Sequence, residues 1–148
     1  MTPVLVDSSF LIALYDQSDF DHTRCLHAYE SLDRPLVTCE AVVTESVYML
    51  RYANGAAEAL LASVESGALE IAFRLNEAAG SIHSIMKKYR DTPADFADAC
   101  LIQMADELGT GDILTLDSDF VHYRWRKTRP FRMLIPLDES APEPALRG

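Results

Sequence analysis

Two aspartates each follow a short apolar run, at a point where a strand would end. Asp7 comes after the run Pro3–Val6, and Asp117 comes after the run Asp112–Leu116. Both contexts also suit a simpler role, because an aspartate just before a helix caps its first turn. In open α/β sheets, however, functional groups gather outside the carboxyl ends of the strands. Two acids that end two buried strands could therefore project into one crevice.

Further acids lie inside predicted helices among apolar or small side chains. Glu45 interrupts the apolar segment Val42–Leu50. It must face solvent or point at a cation, because burying an unpaired carboxylate is costly. Asp98 stands among alanines and a cysteine, where close packing is possible and a surface position is harder to argue. Asp95 lies three residues earlier on the same helical face, and the dipole of a first helical turn is sufficient to explain its charge.

The chemistry that these acids could support is metal-assisted phosphoryl transfer. The cysteines are odd in number and widely spaced, so the sequence predicts neither a zinc site nor a disulfide framework. Ligands that are all oxygens select hard cations, Mg²⁺ or Mn²⁺. Such an ion polarises a phosphate, activates water and stabilises the leaving oxygen. The predicted catalytic and metal-binding residues are Asp7, Glu45, Asp98 and Asp117.

The elements that must position these acids alternate between strands and helices, which predicts an α/β fold with a parallel sheet and helices on both faces. The predicted strands are Pro3–Val6, Leu36–Thr38, Leu69–Phe73, Asp112–Leu116 and Met133–Pro136. The predicted helices are Phe10–Tyr15, about Phe20–Ser31, Glu40–Arg51, Ala56–Val64, Asn76–Tyr89 and one from Asp91 to Leu108, with Pro93 in its first turn.

The 148 residues are about the size of one domain, and 49% of them are hydrophobic, which is enough for a core. We expect a domain over residues 1–137 and a flexible tail over residues 138–148. A net charge of −10 argues against a general nucleic-acid coat protein, but a metal ion would offset clustered carboxylates. The N-terminus lacks the features of a signal peptide, and no apolar run is long enough to cross a bilayer, so we expect a cytoplasmic protein.

One basic segment interrupts this acidic chain. Arg124, Arg126 and Lys127 alternate with aromatic residues, a composition that suits contact with single-stranded RNA. The alternative is a solvated loop with Trp125 or Phe131 packed against the core.

Taken together, the acidic segments resemble the PIN-domain family, and more closely the single-domain VapC-type toxins of bacterial toxin–antitoxin pairs. The segments that carry the resemblance are Val4–Ile12, Val43–Glu45, Asp95–Ala99 and Leu114–Phe120. It implies a PIN-like three-layer fold with a five-stranded parallel sheet, Mg²⁺ or Mn²⁺ in the acidic cleft and endonucleolytic cleavage of RNA. It also implies a cognate antitoxin and a homodimer.

On this hypothesis a metal activates the water that cleaves RNA, and Glu45 is a ligand or orients that water. Ser9 and Thr115 are candidates for orienting the carboxylates, while Asp95 and Asp119 are alternates to the neighbouring acids. A phosphatase with an aspartyl nucleophile is a rival, although it would need an acid at position 9. A receiver-type signalling domain would need adjacent acids and a lysine that are not evident. A PIN-like scaffold that binds RNA without cutting it is the alternative outside enzymes.

Overall fold

Five short parallel strands form the central sheet. The computed structural model describes residues 1–91 and 94–136 of the chain. The strands of the sheet are β1 (Val4–Val6), β2 (Leu36–Thr38), β3 (Leu69–Ile71), β4 (Asp112–Leu114) and β7 (Arg132–Met133). Their spatial order is β3-β2-β1-β4-β7, and all neighbours are parallel. The predicted fold class, an α/β fold with a five-stranded parallel sheet, is therefore confirmed.

Within the described part of the chain, six helices connect and flank these strands. They are α1 (Ser8–Tyr15), α2 (His22–Ser31), α3 (Glu40–Met49), α4 (Ala56–Ser66), α5 (Leu75–Lys88) and α6 (Phe96–Leu108). Helix α1 contacts α2, α3 and α4, whereas α5 packs mainly against α6. Glycines in the left-handed conformation end α4 at Gly67 and α6 at Gly109, where a residue without a side chain is favoured. Among the described residues, none of the helices is long and apolar enough to cross a membrane.

The core lies around the central strand. The residues of β1 are fully buried, as expected for a parallel strand that is covered on both faces. All three cysteines are buried and unpaired, which agrees with the prediction that they form no disulfide. The predicted tail, residues 138–148, lies outside the described residues.

Helix α6 begins later than predicted. The sequence suggested a start at Asp91, with Pro93 in the first turn, but the first helical residue is Phe96 and its N-cap is Asp95. The side chain of Asp95 accepts a hydrogen bond from the backbone N–H of Asp98 at 2.8 Å. A capping side chain at this position supplies the start signal that the proline was expected to give. Pro93 itself lies outside the described residues.

Four of the five strands also differ from their predicted bounds. Strand β1 begins one residue later than predicted, and β3 ends two residues earlier. The last strand of the sheet covers Arg132–Met133 instead of Met133–Pro136, and it pairs with β4 from Asp112 to Ile113. Strand β4 ends at Leu114, two residues before its predicted end. The residues that follow it, starting with Thr115, use their polar groups in the site described below.

The basic segment is a hairpin and not the predicted loop. Strand β5 (Arg124–Trp125) pairs antiparallel with β6 (Arg129–Pro130). Trp125 is 8% exposed, so its side chain is packed against the core, as the alternative interpretation of this segment expected. The indole lies against Gly111, where a Cβ atom would overlap with it.

Candidate active site

Asp7 and Asp117 follow the two strands between which the order of the sheet reverses. The chain runs from β1 to β2 and β3 on one side, whereas β4 and β7 lie on the other side of β1. Neighbouring connections leave the sheet in opposite directions at such a switch point, which opens a crevice at the carboxyl ends of the strands. The structure thus places both predicted acids at the mouth of one crevice.

The carboxylate of Asp7 is held by hydrogen bonds on both of its oxygens. Its Oδ1 accepts from the backbone N–H of Ser8 at 2.7 Å, so Asp7 caps α1. Its Oδ2 accepts from the hydroxyl of Thr115 at 2.7 Å and from that of Ser9 at 3.0 Å. Because Val6 pairs with Leu114 across the sheet, Thr115 is the direct neighbour of Asp7. The side chain of Asp7 therefore caps α1 and also belongs to the candidate site.

The same two hydroxyls also order the backbone after β4. Ser9 Oγ accepts from the N–H of Leu116 at 2.9 Å, and Thr115 Oγ1 accepts from the N–H of Asp117 at 3.0 Å. Asp117 in turn caps a short 3₁₀ helix, Ser118–Val121, through a 2.9 Å bond from the N–H of Asp119. The two strand ends are thus connected through side chains.

Asp98 enters the crevice from the first turn of α6. Its side chain is 7% exposed, and its Oδ2 accepts a hydrogen bond from the hydroxyl of Tyr123 at 2.9 Å. Tyr123 is fully buried and makes edge-to-face contacts with Tyr89 and Phe120, each with ring centroids 5.1 Å apart. A well-packed ring thus fixes the position of the donor.

Three carboxylates come close enough to share a cation. Asp98, Asp117 and Asp119 each present an oxygen, and these atoms all lie within 4.8 Å of one another. An all-oxygen set of this kind matches the preference of hard divalent cations. Asp119, predicted as an alternate to Asp117, therefore lies together with it. Asp7 and Asp95 are not part of this group, and the carboxylate of Asp95 caps α6.

The electrostatics of the crevice would also favour a bound cation. Burial, followed by the charges of neighbouring acids, raises the pKa of Asp98 from 3.8 to about 8. Burial likewise raises the pKa of Asp7 to about 6, although its hydrogen bonds oppose the shift. Asp7 and Asp98 thus resist ionisation in the protein alone, and the charge of a bound cation would oppose this effect.

Glu45 lies at the edge of the crevice and is exposed to solvent. Its Oε1 accepts a 2.7 Å hydrogen bond from the hydroxyl of Ser8, and Ser8 follows Asp7 directly. The sequence left open whether this carboxylate faces solvent or a cation. The structure shows an exposed carboxylate that is connected to the site through one hydroxyl.

Comparison with known proteins agrees with this geometry. The family model described as PIN domain matches residues 4–126, most of the chain. The chain belongs to the PIN-domain family. Ribonuclease VapC26 of Mycobacterium tuberculosis (strain ATCC 25618 / H37Rv) is 34% identical to this PIN-domain protein, over 77% of this chain and 86% of its own length. VapC20 of Mycobacterium tuberculosis, described as a toxin that cleaves the sarcin–ricin loop, superposes with a TM-score of 0.76 at 22% identity, over 86% of this chain and 99% of its own.

Two of the three basic residues of this PIN-domain protein contact groups next to their own hairpin. Arg124 donates to the carbonyl oxygens of Val121 and Tyr123, both at 2.9 Å. Arg126 is exposed, and its backbone N–H bonds the carboxylate of Asp106, eight residues beyond Asp98 on α6. Eight helical residues span about 12 Å. The role of Arg124, Arg126 and Lys127 in RNA contact therefore stays a prediction.

Two polar residues of the site were not singled out from the sequence. Ser8 is not among the predicted site residues, yet its hydroxyl donates to Glu45. Tyr123 lies in the basic segment, 25 residues after Asp98, and gave no local signal. Its position next to aromatic and basic residues favoured an RNA contact over a bond to a buried acid.

Proposed function

We propose that this PIN-domain protein is a metal-dependent endoribonuclease and the toxin of a toxin–antitoxin pair. The proposal depends on the three clustered carboxylates of Asp98, Asp117 and Asp119. Asp7 ends β1 at the switch point of the sheet, and it is close enough for its charge to raise the pKa of Asp98. The similar proteins support RNA as the substrate, since one is named a ribonuclease and the other is described as a toxin that cleaves the sarcin–ricin loop.

The acids of the site would bind the metal and position the attacking water. Asp7, Asp98 and Asp117 would hold the metal directly or through water, with Asp119 beside them. Glu45 would be a further ligand or would orient the attacking water from the edge of the crevice. When bound, a divalent metal would polarise the scissile phosphate and lower the pKa of the attacking water. The products would carry a 5′-phosphate and a 3′-hydroxyl.

The positioning residues support this assignment through their contacts. Thr115 and Ser9 donate to Asp7, so the carboxylate keeps one orientation while its charge stays available. Tyr123 does the same for one oxygen of Asp98. The other oxygen of Asp98 could then face the cation.

Mg²⁺ or Mn²⁺ is the metal that we propose, because the ligands are carboxylates and the donor set includes no sulfur or imidazole. Isothermal titration of chelator-treated protein with each cation tests this choice. We expect binding of Mn²⁺ and Mg²⁺ to be lost in Asp98→Asn and kept in Asp33→Asn. Asp33 is an exposed acid next to the amino end of β2, at the opposite edge of the sheet.

The activity is tested by incubating the purified protein with total RNA and Mn²⁺ and mapping the new 5′ ends. We expect discrete cuts by the wild type and by Asp33→Asn, and at least a ~100-fold slower reaction with Asp7→Asn or Asp98→Asn. Wild-type rates from either site variant at saturating metal would refute the assignment. Metal binding without cleavage would favour the scaffold alternative, and hydrolysis of a phosphate monoester alone would favour a phosphatase.

The partners follow from the same proposal. The toxin would be restrained by a cognate antitoxin protein, would form a homodimer and would act on RNA in the cytoplasm. The two similar VapC proteins support the antitoxin. Purification of the chain alone and together with the product of a neighbouring short gene, followed by light scattering, measures both associations.

A further inference from the structure

An exposed aromatic surface lies at the carboxyl end of α3. It consists of Tyr48, Met49, Arg51 and Tyr52, which we call the α3 surface. Tyr48 is 60% exposed, Met49 55% and Tyr52 86%. Such large apolar side chains gain nothing from solvent, and a contiguous group of them marks a contact surface.

Arg51 orders the two rings of this surface. Its guanidinium carbon lies 3.7 Å from the ring centroid of Tyr48 and 4.4 Å from that of Tyr52. Its Nη1 also donates to the carbonyl oxygen of Tyr48 at 2.6 Å. One cation thus holds two tyrosine rings, which lowers the conformational cost of presenting them to a ligand.

The α3 surface adjoins the active site. Tyr48 and Met49 lie three and four residues after Glu45, on the same face of the helix. Glu45 is connected to the acidic crevice through the hydroxyl of Ser8. The surface therefore begins about one helical turn, or about 5.4 Å, from the rim of the site. A chain bound across the crevice would pass over it.

Charge favours RNA as the occupant. Arg51 is the one Lys or Arg between Arg34 and Arg74, in a protein of net charge −10. A phosphate chain that passes over the carboxyl end of α3 meets this cation there. Tyrosine faces with a guanidinium are the groups on which unpaired bases stack and phosphates bind.

We propose that the α3 surface binds an unpaired base, and its phosphate, of the RNA strand next to the cleavage site. The inference rests on the proposed ribonuclease function. Tyr52 and Tyr48 supply the stacking faces, and Arg51 contacts the phosphate. The surface thus contributes to the choice of cleavage site, because only unpaired nucleotides can stack there.

The test measures binding separately from cleavage. The full chain, kept in chelator, is titrated with a mixed-sequence single-stranded RNA that carries 2-aminopurine, whose fluorescence changes on stacking. We expect Tyr52→Leu and Tyr48→Leu to bind roughly fivefold or more weakly and to lose most of this change. Tyr52→Phe keeps the ring and should stay within about twofold of the wild type. Phe20→Leu, which removes a ring that is 69% exposed after the far end of α1, is the matched control.

Arg51→Gln isolates the contact with the phosphate. For single-stranded nucleic acid, each phosphate contact adds about 0.7 to the slope of log affinity against log salt. We therefore expect the slope for Arg51→Gln to be smaller by about 0.7. Unchanged affinity in both leucine variants, or an unchanged slope, would overturn the proposal. So would a change from dimer to monomer in Tyr52→Leu without a change in RNA affinity, because the surface would then join two copies of this chain.

Cleavage measured in parallel separates the two proposals. If the wild type binds RNA through the tyrosines but does not cut it with Mn²⁺, the proposed ribonuclease function is wrong and RNA binding by the α3 surface is supported. If the wild type cuts RNA while the leucine variants bind and cut it normally, RNA binding by the α3 surface is refuted and the ribonuclease function is supported.

Discussion

Asp98→Asn is expected to stabilise the metal-free protein while it destroys the proposed metal site. The pKa of Asp98 is raised from 3.8 to about 8, mainly by burial. The folded protein therefore holds a proton that the unfolded chain releases near pH 4. The free energy of unfolding of the wild type then falls as the pH rises from about 4 to about 8. Asparagine is neutral throughout and can still accept the hydrogen bond of Tyr123, so the variant lacks this loss.

The pKa shift sets the size of the effect. One proton held only by the folded state changes the free energy of unfolding by about 1.4 kcal/mol per pH unit, so the limit between pH 5 and pH 8 is about 4 kcal/mol. Water and small side-chain movements relieve part of this cost. We therefore expect the stability difference between Asp98→Asn and the wild type to widen by about 1–3 kcal/mol over this range, in favour of the variant.

Urea unfolding in chelator, followed by circular dichroism at several values between pH 5 and pH 8, measures this difference. Saturating Mn²⁺ should reverse the order of stability, since the wild type gains about 2.7 kcal/mol at a metal concentration of about 100 times Kd and the variant gains little. Asp33→Asn should follow the wild type in both conditions. Parallel pH profiles for Asp98→Asn and the wild type in chelator would refute the reasoning.

Three further substitutions test the surroundings of the site. Thr115→Val removes the hydroxyl that donates to Asp7 at 2.7 Å. It should lower the free energy of unfolding by about 1–3 kcal/mol and weaken Mn²⁺ binding, whereas Thr115→Ser should keep both. Calorimetry measures both quantities. Tyr123→Phe removes a hydrogen bond that lowers the pKa of Asp98, so the pH midpoint of Mn²⁺ binding should rise; a midpoint that stays the same or falls would contradict this. Gly111→Ala places a methyl group against the indole of Trp125, the one tryptophan of the chain. The variant should be less stable by about 1–3 kcal/mol, and its tryptophan fluorescence should shift. A variant with the stability of the wild type would show that the hairpin moves freely.

The sequence was sufficient to predict the sheet and the acids that follow its strands. Apolar runs bounded by polar residues located β1, β2 and β4, and the rule for strand ends predicted that Asp7 and Asp117 lie near one another. These inferences succeeded because burial of a parallel strand and the position of the acid after it are both local properties of the chain.

Contacts between distant segments could not be predicted. The hydroxyl of Tyr123 reaches Asp98 only because the chain turns back along α6 after the 3₁₀ helix. The hairpin that follows carries Arg126 and Lys127 at φ angles of 44° and 68°. Such turns usually contain glycine or asparagine, so the sequence had no turn signal there. The start of α6 was missed for a related reason, since Asp91 and Asp95 are both plausible caps and only tertiary packing selects between them.

Asp7, Asp95 and Asp117 each cap a helix while they lie in or beside the acidic crevice. This double use affects how mutational data on the site should be interpreted. Alanine at these positions removes a cap as well as a charge, and the lost cap alone costs about 1 kcal/mol. An alanine scan would therefore mix defects in folding with defects in chemistry. Asparagine caps as well as aspartate does, so the Asp→Asn series keeps the cap while it removes the charge. At Asp7 the substitution also replaces one of the two oxygens that accept hydrogen bonds.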